Sequence, residues 1–326
     1  MSWLQIGLAK SGNSWLYHLL REILQAAGRW EGSWIETHPI HEQARSWSLS
    51  QADQAGHDVV DITEEGVFWR IANRVREPVP DIETYLDTAT LVWTHSPWCD
   101  RSAAFLERFE KILYLCRDPR DVAISTANFT QTPYSRRHYP VPYESAGEWL
   151  TDNFEQAQRD WVLHVAPYLL YGPARPAQLS QGMYVVFYER LKVEPAAELE
   201  RLLTYLEVDL DPGQCERIIE ATSFESMKRE HPDHLRRGTG GQWREVLTPK
   251  QKDTALRIAG PLLDLLGYPR NGGDQSLPAC PAPDDVPEKL RTVLRRARPG
   301  PLAVVRRKTR HTLHRWRKRL FPSAEK

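Results

Sequence analysis

The sequence predicts an α/β fold: a P-loop-like parallel sheet flanked by helices on both faces, in a single main domain. Three observations predict it. Short apolar runs alternate with stretches of helical periodicity, the pattern of strand–helix–strand units in a doubly covered parallel sheet. The first run, in "LQIGLAKSGNSWLYHLL", stops at Leu8 and passes through a small polar loop directly into a helix pattern. Finally, Lys10, His95, Arg117 and Tyr188 each fall at or just after a predicted strand end, the rim where such sheets bind ligands.

The opening helix is read from Leu16, Leu19, Leu20, Ile23, Leu24 and Ala27, with Gly28 as its stop. Residues 29–80 are mixed and rich in Trp and His, and show no clear period. "TATLVWTHSP" reads as a buried strand entering a loop at His95, and "FEKILYLCRDPRDVAISTANF" as strand, turn and helix. "TQTPYSRRHYPVPY" reads as an exposed loop, and helical spacing resumes from Ala146 to about Leu170. "GMYVVFYERL" is a further buried strand, followed by helices marked by Leu199, Leu202, Leu203 and Leu206 and by Cys215–Ala221. "HLRRGTGGQW" is a Gly-rich basic loop, and a last helix from about Pro249 to Leu266 is expected to bend or break near Pro261.

The predicted organisation is a main domain at 1–270, a Gly/Pro-rich linker at 271–288 and a basic tail at 289–326. The formal charge of zero conceals an asymmetry. From Lys289 onward there are 14 basic residues and one acid, leaving 29 basic and 42 acidic before it, a net of −13. Within the tail, Leu302, Val305, Thr309, Leu313, Trp316 and Leu320 form one helical stripe among arginines and lysines. A basic helix with Trp on its apolar face suits an anionic membrane surface rather than nucleic acid. No run approaches the ~18 apolar residues of a membrane span. The first strand begins too early for a signal peptide, so a cytoplasmic protein is expected, and the tail is left open between peripheral membrane attachment, a solvated tail and one folded back on the acidic globule. Cys99, Cys116, Cys215 and Cys280 lack metal-ligand spacing and read as reduced thiols. "HPIHE" at His38–Glu42 offers two ligand types without a third.

The loop at Lys10 has the layout of a phosphate cradle, with N–H groups at a helix N-terminus and a lysine charge. The Lys precedes the Gly, however, so the G-x-x-x-x-G-K-[ST] spacing of nucleoside-triphosphate binders is absent.

"AKSGNSW" resembles the phosphosulfate-binding loop P-K-S-G-T-T-W of the sulfotransferase family. "YLCRDPRDVAISTANF" resembles that family's 3′-phosphate motif, an Arg followed eight residues later by a Ser, here Arg117 and Ser125. "RRGTGGQW" at Arg236–Trp243 is similar to the R-K-G-x-x-G-D-W loop, and "FYE" at Tyr188 and "TSF" at Thr222–Phe224 fall between in family order. The resemblance covers about Trp3 to Tyr268.

It implies a donor, 3′-phosphoadenosine-5′-phosphosulfate (PAPS), with no metal required. Lys10, Ser11, Gly12, Asn13 and Ser14 would hold its 5′ end. Arg117, Ser125, Arg236, Arg237 and Gly238 would hold the 3′-phosphate, where an arginine fork suits a terminal phosphate. Trp15 and Phe224 would stack on the adenine, with Tyr188 and Thr222 beside them. His95 in "THSP" aligns with the family's catalytic His, a general base for an acceptor hydroxyl, and Lys10 would stabilise the leaving oxygen. Phe129 matches an acceptor-pocket position, and Trp98, Tyr134 and Tyr139 are candidates beside it. The acceptor class, whether small molecule, carbohydrate or lipid, is left open. Departures are Trp93 where many cytosolic members have Lys, and Gln242 for Asp. "REVLTPKQKD" echoes the family's dimerisation motif imperfectly, which leaves a homodimer open. The competing classes are a P-loop-type nucleotide or small-molecule kinase and a non-catalytic nucleotide-binding adapter. The missing Walker spacing weighs against the kinase; intact Lys10 and His95 weigh against the adapter.

Overall fold

The computed structural model describes residues 2–51, 53–171, 182–230, 240–271, 276–280 and 286–297. Its centre is one seven-stranded sheet of order β4-β3-β2-β5-β1-β6-β7. The strands are β1 (Trp3–Gly7), β2 (Asp58–Ile62), β3 (Val67–Ile71), β4 (Val75–Pro78), β5 (Leu91–Thr94), β6 (Lys111–Cys116) and β7 (Met183–Phe187). β2, β5, β1, β6 and β7 run parallel, whereas β3 pairs antiparallel with β2 and with β4. The expected parallel sheet therefore carries an antiparallel extension drawn from residues 67–78, within the stretch whose period was illegible.

The parallel strands read as continuous apolar runs because helices cover both faces: every residue of β1, β5 and β6 is buried. On one face lies α1 (Asn13–Ala26), whose Leu16, Leu20, Ile23 and Leu24 are at most 1% exposed. The short helices α2 (Trp34–Thr37), α3 (Ile40–Ala44), α4 (Ile82–Thr88) and α5 (Ser102–Leu106) join the early strands. Following β6 come α6 (Pro119–Phe129), α7 (Pro133–His138) and the long α8 (Ala146–Tyr171). Beyond β7 lie α9 (Tyr188–Val193), α10 (Pro195–Leu206), α11 (Pro212–Ala221), α12 (Phe224–Glu230), α13 (Trp243–Val246), α14 (Pro249–Leu265) and α15 (Val286–Ala297).

Three local expectations change. The segment read as an exposed loop contains α7, because Thr132 caps it by accepting from the Ser135 N–H and Pro133 occupies the first turn. The same residues serve as turn formers, which is how the sequence misleads. α14 is not broken at Pro261 but runs on to Leu265, packed against α8 and α15 on a face that includes Ile258, Leu262 and Leu263. The boundary placed at 288/289 cuts through α15. This helix docks on α8 and α14 and buries Leu290, Val293 and Leu294, each worth about 1.5–3 kcal/mol relative to exposure. The striped segment at 302–320 lies outside the described residues. No helix among the described residues is long and apolar enough to cross a membrane.

Candidate functional site

The carboxyl ends of β1, β5, β6 and β7 open onto one cavity of about 730 Å³. The loop after β1 forms its floor. Lys10 (φ 70°) and Gly12 (φ 105°) both adopt left-handed backbone, which turns the chain sharply into α1. A Cβ at Gly12 would come within 2.5 Å of Tyr188 Cδ2, so the turn also needs the missing side chain. Asn13 Nδ2 donates to the Leu8 carbonyl at 2.8 Å, and Gln5 Nε2 donates to the Asn13 carbonyl at 2.8 Å. These bonds fix the loop from within. No side chain caps α1, so its first-turn N–H groups remain available to an anion. The Ser11 hydroxyl is buried without a hydrogen-bond partner among the described residues. An uncapped helix start, a lysine and an unsatisfied hydroxyl fit a phosphate-like group. Ser14 donates to Gln51 Oε1 at 2.8 Å, a contact from residues 29–80 that the sequence did not reveal.

Arg117 stands at the end of β6. Its Nη1 donates to the Lys10 carbonyl at 3.2 Å, and its guanidinium lies 4.1 Å from the Tyr188 ring centroid. Its own carbonyl accepts from Trp161 Nε1 at 2.9 Å. The turn that follows is built on buried charge: Asp118 pairs with Arg120, which donates to the Pro269 carbonyl and stacks 3.6 Å over Trp243. The Asp118 N–H donates to Glu189 at 3.0 Å. Burial raises the Glu189 carboxyl to about 7. Asp121 accepts from the N–H groups of Gly241 and Trp243, so α6 holds the described end of the third motif. Burial, then repulsion from Asp118, raises Asp121 to about 6. Ser125 lines the cavity one helical turn further on, with Phe224, Gln242 and Trp15 also in its wall. Trp15 meets Tyr188 edge-on at 5.5 Å between centroids.

His95 follows β5. Its Nδ1 lies 2.6 Å from the Gly7 carbonyl oxygen. A carbonyl can only accept, so Nδ1 carries the proton and Nε2 keeps the lone pair. Beneath it, the buried His164 bridges Tyr114, at 2.7 Å, and the His95 carbonyl, at 3.2 Å. Burial lowers His95 to about 3, partly opposed by the Gly7 bond, with Arg70, His164 and Lys10 adding repulsion. Burial, then the charge of Arg117, lowers the Lys10 ammonium to about 8. Lys10 Nζ lies 4.1 Å over the Phe129 ring.

The cavity thus gathers most of the residues read from the sequence, including Phe129, Tyr134 and Tyr139. Ser11 stays buried within the floor loop and does not itself line the cavity, and two others belong elsewhere. Trp98 turns away and packs edge-on against Tyr168 at 5.3 Å. Thr222 ends α11 with its hydroxyl donating to the Ile218 carbonyl at 2.7 Å, and does not line the cavity. Arg236, Arg237 and Gly238 lie outside the described residues. Missed from sequence were Ser50, Gln51 and Gln54, Val59 and Arg70 on the sheet, and Met227 on α12. Trp93 also lines the cavity, and its buried indole N–H has no hydrogen-bond partner among the described residues.

Comparison with known proteins identifies relatives of the chain. Sulfotransferase 1B1 of Canis lupus familiaris is 29% identical over 181 residues, covering 50% of this chain and 58% of that protein. Sulfotransferase 1A1 of Rattus norvegicus is 27% identical over 195 residues, covering 53% and 62%. The chain therefore spans less than two thirds of the length of these two relatives. Human sulfotransferase 2A1 is 23% identical over 259 residues, covering 75% and 78%. A solved structure of retinol dehydratase, in complex with androsterone and inactive cofactor PAP, aligns over 80% of each chain with a TM-score of 0.50. At 18% identity, that likeness is one of fold. Residues 3–267 match the sulfotransferase domain, and the chain belongs to that family.

Proposed function

We propose that this protein transfers the sulfuryl group of PAPS to a hydroxyl of an acceptor. The observation that carries this reading is convergence: Lys10, His95 and Arg117 leave three different strands and line one cavity beside an uncapped helix start. The loop after β1 would hold the 5′-phosphosulfate, and Arg117 with Ser125 the 3′-phosphate. Trp15, Tyr188 and Phe224 would enclose the adenine. The third motif of the sequence would add Arg236, Arg237 and Gly238 to the 3′ cradle.

In the reaction, the acceptor oxygen bonds to sulfur as the bridging sulfur–oxygen bond breaks. The acceptor proton passes to His95 Nε2, and adenosine 3′,5′-bisphosphate (PAP) leaves. Burial holds His95 neutral, and the Gly7 carbonyl holds it in the correct tautomer. A nearby anionic donor would favour the imidazolium and so raise the basicity of His95 as the proton arrives. Lys10 would meet the charge that grows on the leaving oxygen, a contact typically worth about 3–4 kcal/mol.

Thermal denaturation with PAP, compared with ADP plus Mg²⁺, tests the donor site. Stabilisation by PAP and not by ADP is expected; the reverse would favour a kinase. Transfer of labelled sulfate from PAPS to a host lysate, with identification of the product, tests the reaction. Absence of any labelled product at saturating donor would favour a non-catalytic adapter.

A further inference from the structure

We propose that the acceptor carries an anionic group, a carboxylate, phosphate or sulfate, and that Arg70 binds it. This rests on the sulfuryl-transfer reading above.

The charged residues lining the described cavity are Lys10, Arg70 and Arg117, and no Asp or Glu lines it. Lys10 and Arg117 sit together at the β1 loop, where Arg117 donates to the Lys10 carbonyl. Arg70 belongs to the other wing. It pairs in register with Val59, which in turn pairs with Trp93. It therefore stands two strands beyond Trp93, about 10 Å at normal strand spacing. Arg70 lines the same cavity as His95 and Tyr139, and its charge reaches both. That wall is tied to the same hairpin, since Asn73 Nδ2 donates to the His138 carbonyl at 3.0 Å.

The guanidinium is held in place. Nε donates to Asp61 at 2.9 Å and Nη1 to the Ala72 carbonyl at 3.2 Å, while Nη2 has no hydrogen-bond partner among the described residues. Asp61 does not neutralise it, because Arg76 also donates to that carboxylate at 2.9 Å. Two guanidinium groups share one acid, which leaves a net positive charge. The Arg70 side chain is only 20% exposed. A neutral acceptor would cover a partly desolvated cation and offer no counter-charge, which is costly. An anionic acceptor group would supply the counter-charge and accept from the remaining donors.

The test uses the full chain saturated with PAP, so that the donor's anion sites are filled. Calorimetry then compares matched probes: 4-hydroxyphenylacetate with its amide, glucose 6-phosphate with glucose, and 4-hydroxyphenyl sulfate with hydroquinone. At least one charged probe is expected to bind about tenfold or more tightly than its neutral partner, the effect of a charge-assisted bond. R70Q is expected to bring that pair within about twofold, R70K to keep part of the preference, and PAP affinity to stay within about twofold of the parent. The inference is overturned if no charged probe is preferred, or if the preference survives in R70Q. A parallel loss of PAP affinity in R70Q overturns it too, by moving Arg70 to the donor. Failure of the parent to bind PAP would instead sink the sulfuryl-transfer reading itself.

Discussion

His95 Nδ1 lies 2.6 Å from the Gly7 carbonyl, so the end of β1 sets the tautomer of the histidine that follows β5. The two strands are hydrogen-bonded neighbours in register from Trp3↔Leu91 to Ile6↔Thr94. The sheet ladder thereby fixes the orientation of the imidazole, and the same Gly7 leads into the loop after β1. The proposed base and the proposed anion cradle stand on one edge of the sheet.

His95→Ala should leave PAP affinity nearly unchanged and lower turnover by at least about 100-fold, as loss of a general base does. The motive is the lone pair left on Nε2 by the Gly7 bond. Activity within a few-fold of the parent would make His95 structural and send the search to another base.

Arg117→Ala should weaken binding of PAP much more than binding of adenosine 5′-phosphate. A charge-assisted hydrogen bond is worth about 1.5–3 kcal/mol, and only the first ligand presents a 3′ group. Titration calorimetry with both ligands decides it. Equal losses would place Arg117 away from the 3′-phosphate, serving the loop through the Lys10 carbonyl alone.

Lys10 gives a pH signature. Its ammonium is lowered to about 8 in the free protein. A bound 5′-phosphate would favour the charged form and raise that value. Below pH 8 both states are protonated, and affinity is flat from this source. Above 8 the free protein has lost the proton that the complex needs, so PAP affinity should fall by up to about tenfold per pH unit. The sign for folding is opposite. The unfolded chain binds the Lys10 proton up to about 10.5 and the native one does not, so Lys10 makes stability rise between about 8 and 10.5. Calorimetry from pH 6.5 to 9.5 should show the fall in affinity, and K10Q should abolish it. A fall that persists in K10Q would assign the titration to another group.

What could be read from the sequence was what is encoded locally. The loop from Leu8 to Ser14 and the turn from Arg117 to Pro119 are strand-to-helix junctions whose small, basic and Pro residues stand together in the chain. Arg70 and Gln51 were invisible because their part in the site depends on non-local pairing. β3 reaches the cavity only through the hairpin with β2, which joins the sheet beside β5. Trp98 shows the opposite failure. It is three residues from His95, yet its ring packs on Tyr168 of α8. Proximity in sequence placed it in the pocket; packing on α8 took it out.

The basic tail gives the last prediction. Eight of its arginines and lysines lie between Arg306 and Arg319, around the stripe that includes Leu313, Trp316 and Leu320. Each basic residue near an anionic leaflet contributes about 1 kcal/mol, and a buried Trp and Leu face adds apolar area. We propose that this segment holds the enzyme at an anionic membrane surface. The docked helix α15 decides where to cut for the test. A chain ending before it would lose Leu290, Val293 and Leu294 from the core and confuse unfolding with loss of the tail. A chain ending at Ala297 keeps them. The full chain should co-sediment with vesicles of phosphatidylserine and phosphatidylcholine at low salt, and less so as salt screens the charge. The chain ending at Ala297, and the full chain with vesicles of phosphatidylcholine alone, should stay in the supernatant. If the full chain pellets no more with anionic vesicles than the shortened one does, the tail has another role.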